Sequence, residues 1–307
     1  MKKIFKTKLG SIIHDDAEKH LKKVKDGSVD LIITSPPFAL TREKAYGNKK
    51  GDEYLDWLKK FGEIFYKKLK DDGSFVIDFG GSWVPGEPTR NLHQFKIPII
   101  FCEEIGFHLA QEFFWWNTSK MPTPASWVTI SRERITDSVN YIFWFSKSTH
   151  PKANNRNILK PYSDRMKNMI KNQKYNMKDR PSEHRVSKVW AKDNGGAIPQ
   201  NFFPYGNSSN DPYFKYCDEK GLKKHPARFG PFIPEFFIRF LTDKNDLVID
   251  PFAGSCTTGA VAEQLARKWL CIDLDEDYLK GAIGRFKDPY KFNIDIDENI
   301  EYNFKLK

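Results

Sequence analysis

Leu247-Val248-Ile249-Asp250-Pro251-Phe252-Ala253-Gly254-Ser255 reads as a short apolar strand that stops at an acid and a loop containing Pro and Gly. Near the other end of the chain, Val29-Asp30-Leu31-Ile32-Ile33-Thr34-Ser35-Pro36-Pro37-Phe38 repeats the pattern, a buried strand running into a stiff polar loop. Apolar runs of this length, closed by turn residues, are what strands covered on both faces look like. An open α/β sheet presents its ligand site at the C-terminal ends of such strands. The two stretches therefore predict one α/β sheet with two site-forming loops, drawn from opposite ends of the chain.

The pattern continues outward from both. Residues 11–14 read as a short strand ending at Asp15-Asp16, and residues 17–24 as a helix. Residues 52–70 place Tyr54, Leu55, Leu58, Phe61, Ile64, Phe65 and Leu69 on one helical stripe closed by Asp72-Gly73, with a strand over 74–79. Strand, loop, helix, strand is the right-handed crossover of a parallel sheet. A helix is expected over 95–104 and aromatic-rich strands over 109–116 and 139–145, with Trp115 and Trp116 read as core. A helix over 234–241 leads into the second motif, and residues 268–273 form a further strand ending at Asp273.

The chain has 307 residues, 39% of them hydrophobic and 25 of them Phe, enough for a sizeable core in one large domain carrying an insertion, or in two domains. Mean hydropathy of -0.61 and the lack of any long apolar run predict no membrane span. The first eight residues are basic without the apolar stretch of a secretory signal, which makes the cytoplasm the expected location. The four cysteines show no CxxC pairing or zinc-like companions, so neither a disulfide framework nor a metal site is expected. Net charge is +10, and between Pro151 and Lys192 twelve Lys/Arg face three acids. A stretch rich in Asn, Lys and Arg, with little apolar periodicity, suits an insertion that tracks phosphates; a solvated surface loop is the alternative.

Ser35-Pro36-Pro37-Phe38 followed much later by Asp250-Pro251-Phe252-Ala253-Gly254-Ser255 is similar to the β class of S-adenosylmethionine-dependent DNA amino-methyltransferases, in which the catalytic loop precedes the cofactor loop. Tyr46-Gly47-Asn48, the segment from Gly73 to Gly81, Asp193-Asn194-Gly195-Gly196-Ala197-Ile198-Pro199 and His225-Pro226-Ala227-Arg228-Phe229 extend the likeness over residues 10–286. It is strongest to the PvuII-type modification methyltransferases. The resemblance implies an α/β, Rossmann-like S-adenosylmethionine methyltransferase fold with a mixed, mostly parallel sheet and permuted motif order. Residues 1–150 would form the catalytic half, 151–215 a basic target-recognition insertion, 216–287 the cofactor-binding half and 288–307 a C-terminal tail.

The implied chemistry is methyl transfer to N4 of a cytosine extruded from duplex DNA. A cytosine exocyclic nitrogen is a poor nucleophile because its lone pair is delocalised into the ring, and acceptors held at its hydrogens localise that pair. By resemblance these are the side chain of Ser35 and the carbonyl of Pro36. The Pro36-Pro37 pair stiffens the loop and removes competing donors, and Phe38 offers a flat face for the base. Pre-organised acceptors need no metal. Methylation at carbon 5 would instead require a cysteine nucleophile in a Pro-Cys dipeptide, and none occurs. Serine at position 35 indicates cytosine; adenine-N6 methylation is the alternative, with RNA methylation and an inactive nucleic-acid-binding module as further rivals.

In the cofactor loop, Gly254 permits close backbone approach and residues 255–259 open a helix whose amides face the ligand. Asp250 suits the positively charged methionine end, and Asp273, about 20 residues on, stands where an acid binds ribose hydroxyls, with Asp275 as a substitute. Asp16, Thr34, Phe252, Ala253, Ser255, Thr257 and Thr258 complete the expected S-adenosylmethionine site. Asp16 reads equally as a helix cap. Asp78 reads either as a contact to cofactor or base or as a structural residue, and His225 as part of a segment under the methionine moiety. Cys256 stands where the family has glycine, so either the backbone there stays in an ordinary region or the cofactor is held less tightly. The expected partners are double-stranded DNA and a functionally paired restriction endonuclease without stable complex, with no membrane; the chain would be a monomer or homodimer.

Overall fold

The computed structural model describes residues 1–37, 51–173, 192–207, 211–227 and 229–287. Phe38, Tyr46-Gly47-Asn48, Arg228 and the tail over 288–307 lie outside the described residues.

Strand β3 (Val29–Thr34) is buried at every position, as its apolar run requires. It pairs in parallel with β4 (Leu69–Phe79) on one side and β8 (Leu247–Asp250) on the other. Beyond β8 lie β9 (Lys268–Asp273) and β2 (Gly10–His14), also parallel. The other flank turns antiparallel through β6 (Val139–Ser146) and β5 (His108–Trp116), and β7 (Phe202–Phe203) adds to β5. At the opposite edge β1 (Lys2–Lys6) pairs antiparallel with β2. The nine-stranded order is β1-β2-β9-β8-β3-β4-β6-β5-β7, the mixed, mostly parallel sheet expected.

Period-two alternation directs the core. Phe75, Ile77 and Phe79 of β4 and Phe143 and Phe145 of β6 join a cluster with α1 (Ala17–Leu21), α2 (Gly51–Lys68) and α3 (His93–Ile99). Phe75 meets Phe65 at 5.0 Å and Phe145 at 5.8 Å. The intervening residues face the other way. Trp144 packs edge-on against Phe240 of α6 (Phe232–Leu241), and Phe113 of β5 against Phe236 and Phe237. Pro234 is tolerated in α6 because the first-turn amides have no helical partner to lose. Helix α7 (Thr257–Gln264) packs beside α6, so helices cover both faces.

Several boundaries differ from the expectation. Strand β4 begins at Leu69 and contains Asp72-Gly73, where the sequence pattern predicts the stop after a helix over 52–70. The register jumps between Val29/Leu69 and Leu31/Ser74, so these residues bulge out of the ladder. The helix expected over 95–104 is α3 continued by a π-helical turn, Ile100–Ile105, ending at the left-handed Gly106. Trp116 is 43% exposed rather than core. Strand β1 was unforeseen because KKIFK carries no apolar alternation of its own.

Two compact units are present. One holds Met1–Ala153 and the described residues from Asn201 onward; the other holds Asn154–Gln200. The boundary at 200 rather than 215 reflects β7 and α5 (Pro212–Lys220), which belong to the first unit. Within the second unit, α4 (Asp164–Asn172) is capped by Ser163, and Lys160 bridges to Ala197. The Asp193-Asn194-Gly195-Gly196 turn is tight: Asp193 accepts the Gly195 amide at 2.9 Å, and Tyr162 accepts that of Asn194 at 2.8 Å.

Candidate active site

The strand order reverses between β8 and β3. From β3 the chain crosses through α2 to β4, and from β8 it crosses through α7 to β9 in the opposite direction. Diverging crossovers leave a crevice at the strand C-termini. A cavity of about 870 Å³ lies there, lined by Ser35, Pro36 and Pro37 after β3, Asp78 of β4, and the loops after β8 and β9.

At its β3–β4 end, the Ser35 hydroxyl donates to Asp78 Oδ2 at 3.1 Å, and Asn140 Nδ2 donates to Asp78 Oδ1 at 3.0 Å. Asp78 is 2% exposed, and burial pushes its pKa up to about 6. Hydrogen bonds from Asn140 and Ser35 and the charge of Lys120 pull the other way. At neutral pH the carboxylate is therefore mostly ionised and takes the serine proton in a hydrogen bond. The Ser35 oxygen keeps its lone pairs for a donor in the cavity.

At the β8–β9 end, Asp250 is 3% exposed and fully engaged by the protein. Thr34 Oγ1 donates to its Oδ1 at 2.6 Å, the Phe252 amide to the same oxygen at 3.2 Å, and Thr258 Oγ1 to Oδ2 at 2.7 Å. Burial again raises the pKa to about 6, opposed by these donors. Gly254 has φ +49, and its amide donates to Asp273 Oδ2 at 2.7 Å; a Cβ there would meet His225 Nε2 at 2.9 Å. Asp273 also accepts the Asp275 amide at 2.9 Å, and burial raises its pKa. Cys256 adopts φ 52, ψ 38, so of the two expectations for it the ordinary backbone is overturned. A non-glycine residue in this region persists only where its surroundings over-determine it.

Asp16, Ser35, Pro36, Pro37, Asp250, Phe252, Ala253, Gly254, Ser255 and Asp273 all line the cavity. Thr34, Thr257 and Thr258 do not; Thr34 and Thr258 stand behind it, holding Asp250, and Thr257 adjoins the Ser255 hydroxyl at 3.5 Å. Asp16 is both lining residue and N-cap of α1, accepting the Lys19 amide at 2.9 Å. Asp275 caps α8 (Glu276–Ala282), accepting the amides of Asp277 and Tyr278. Trp115 combines a buried ring, 5% exposed, with a place in the cavity wall, and its Nε1 donates to the Tyr205 carbonyl at 2.9 Å.

Sequence reasoning missed Trp57, Lys120 and Asn140. Asn140 was detectable as a polar residue in an otherwise aromatic strand. Trp57 packs 5.3 Å from Phe252, tying α2 to the loop after β8. Asp16, Asp250, Asp273, Asp275, Glu276 and Asp277 make the cavity wall carboxylate-rich. Such a wall suits a cationic nucleoside and repels one bearing a polyphosphate. Among the described residues no group of three His, Cys, Asp or Glu side chains is placed to hold a metal.

The N6/N4 methyltransferase family model, described as DNA methylase, matches residues 29–284. Type II methyltransferase M.PvuII of Proteus hauseri is 46% identical over 290 residues, covering 94% of this chain and 86% of that protein. A solved structure described as PvuII DNA methyltransferase (cytosine-N4-specific) is similar with a TM-score of 0.77 and 39% identity, over 95% of this chain and 90% of the other. The DNA adenine methyltransferase YhdJ of Escherichia coli (strain K12) is 25% identical over 280 residues, covering 90% of this chain and 82% of that protein.

Proposed function

This chain belongs to the N6/N4 DNA methylase family, and from that membership we propose that it transfers a methyl group to N4 of a cytosine in duplex DNA, with S-adenosylmethionine as donor. The observation that carries the reading is the Ser35–Asp78–Asn140 chain beside Pro36-Pro37, facing the cofactor loop across one cavity. Asp78 takes the Ser35 hydroxyl hydrogen, so the serine oxygen accepts from an amino hydrogen while the Pro36 carbonyl accepts from the other. The nitrogen lone pair is thereby withdrawn from ring conjugation. When bound, S-adenosylmethionine would supply an electrophilic methyl group and leave as S-adenosylhomocysteine, and the proton that N4 gives up would pass to solvent.

The carboxylate-rich wall fits the ammonium and sulfonium of that donor; Asp273 would hold the ribose and Asp16 the adenine, while Asp250, its oxygens engaged by Thr34, the Phe252 amide and Thr258, would shape the loop rather than contact the methionine end. The base reaches the site by leaving the duplex, at a cost of a few kcal/mol, roughly, for unstacking. The cytosine-N4 choice rests on Ser35 and on the similar PvuII DNA methyltransferase structure, which is described as cytosine-N4-specific. The second unit, with exposed Arg165, Lys167 and Lys171 on α4, acts as the target-recognition region. Pairing with a restriction endonuclease and a cytoplasmic location complete the proposal; no described helix is long and apolar enough to cross a membrane.

The test is incubation of the purified chain with mixed-sequence duplex DNA and labelled S-adenosylmethionine, then mass spectrometry of the nucleosides. N4-methylcytosine is expected. N6-methyladenine would overturn the base assignment, and label appearing only in RNA would overturn the substrate.

A further inference from the structure

Gly254 and Cys256 are both left-handed, and the residue between them is gripped from behind. Arg285, 3% exposed, donates from Nε to the Ser255 carbonyl at 2.7 Å and from Nη2 to the Ser255 hydroxyl at 3.1 Å. Its outer edge meets Asp211, 6% exposed, in a two-point pair: Nη1 to Oδ1 at 2.8 Å and Nη2 to Oδ2 at 2.8 Å. Asp211 is in turn the N-cap of α5, accepting the Tyr213 amide at 3.0 Å. The guanidinium lies over the Tyr213 ring at 5.2 Å, and the Tyr213 hydroxyl accepts the His225 amide at 2.7 Å. His225 Nε2 fills the space that a side chain at Gly254 would need. The circuit closes on the loop from which it started.

We propose that Arg285, held by Asp211, is a positioning residue for methyl transfer: it fixes Ser255 so that the cofactor loop keeps its two left-handed residues before any ligand arrives. The assignment rests on reading this loop as the cofactor site. A buried ion pair kept for stability alone is replaceable by apolar side chains of like volume. This one sends two of its hydrogen bonds into the loop, one of them to a main-chain carbonyl that no apolar residue satisfies. Lysine retains the charge but lacks the planar fork needed to hold Ser255 and Asp211 together. Pre-forming the loop removes an ordering cost that cofactor binding would otherwise bear.

The experiment joins calorimetry with S-adenosylhomocysteine as probe to amide hydrogen exchange. In the cofactor-free wild type, the amides of Ala253, Gly254 and Cys256, which donate to the Ile272 carbonyl, Asp273 Oδ2 and the Ala253 carbonyl, are expected to exchange as slowly as those of Ile32 and Ile33. In Arg285→Lys they should exchange faster, with probe affinity falling about tenfold or more and duplex DNA affinity unchanged. A folded Arg285→Lys with wild-type probe affinity overturns the proposal. So do wild-type loop amides that exchange freely and become protected only on adding the probe, a result that needs no variant to fold. A wild type that shows slow loop exchange yet never binds the probe overturns the cofactor reading itself, and with it the role assigned to Arg285.

Discussion

Ser35 and Asp78 are 43 positions apart in the chain and 3.1 Å apart in the structure. Ser35→Ala removes one acceptor from the amino group, and single-turnover methyl transfer is expected to fall roughly 10²-fold or more, with cofactor affinity unchanged. Asp78 must be ionised to receive the serine proton, so activity should decline as pH is lowered through about 6. Its effect on stability has the opposite sense. The folded pKa of about 6 lies above the ordinary carboxylate value of 3.8, so the stabilisation from protonated Asp78 is complete below the lower value and lost as pH rises through the upper. Asp78→Asn should thus lower activity by no more than Ser35→Ala, roughly 10²-fold, yet be more stable than wild type at pH 8, on the order of 1–3 kcal/mol, as read by thermal melts. Cys256 offers a second check. Cys256→Gly and Cys256→Ala both lose the thiol, but only glycine relieves the left-handed strain, so the glycine variant should be the more stable by about 1 kcal/mol in urea melts.

Strand β8 and helix α7 flank the Asp250–Cys256 loop, and the separation of α7 from β9 is set by Gly259. A Cβ there would lie 2.7 Å from Cys271 Sγ and 2.9 Å from Trp269 Cε3, so the helix rests on the strand with no room for a methyl group. Gly259→Ala is expected to destabilise by about 1–3 kcal/mol through overpacking, seen as a lowered denaturation midpoint. Among the elements, β3, α2, α6, β8 and β9 were legible because each has a pattern matching its own period. Strand β1 was not: its lysine-rich sequence becomes a strand by pairing with β2, an edge where lysines are tolerated. The bulge that lets β4 start at Leu69 was hidden for a similar reason, since its register is imposed by Val29 and Leu31 of the neighbouring strand.

Over the entire chain, the positive charge and the acidic cavity divide the work. The +10 balance gathers in the region between Pro151 and Lys192, while the cavity is walled by carboxylates. Arg165→Ala combined with Lys171→Ala should weaken DNA binding similarly on all sequences. The slope of log affinity against log salt should fall by about one per charge removed. Fluorescence anisotropy across a salt series measures this, and cofactor affinity is the control expected to stay constant.

The local pattern of this chain specified an α/β sheet and two site-forming loops, because buried strands and stiff Pro/Gly loops announce themselves over a few residues; the permuted order of the motifs was implied by the resemblance those loops carry. The local pattern also placed Asp250, Gly254 and Asp273 at one end of the site and Ser35-Pro36-Pro37 at the other. Partnership was beyond its reach. That Asp250 is held by Thr34 and Thr258, that Asn140 and Ser35 share Asp78, and that Arg285 grips Ser255 all depend on which strands become neighbours and which helices are buried against them. Hydrogen bonds between distant segments, and the pKa shifts that burial imposes on Asp78 and Asp250, exist only once the sheet has assembled and excluded water.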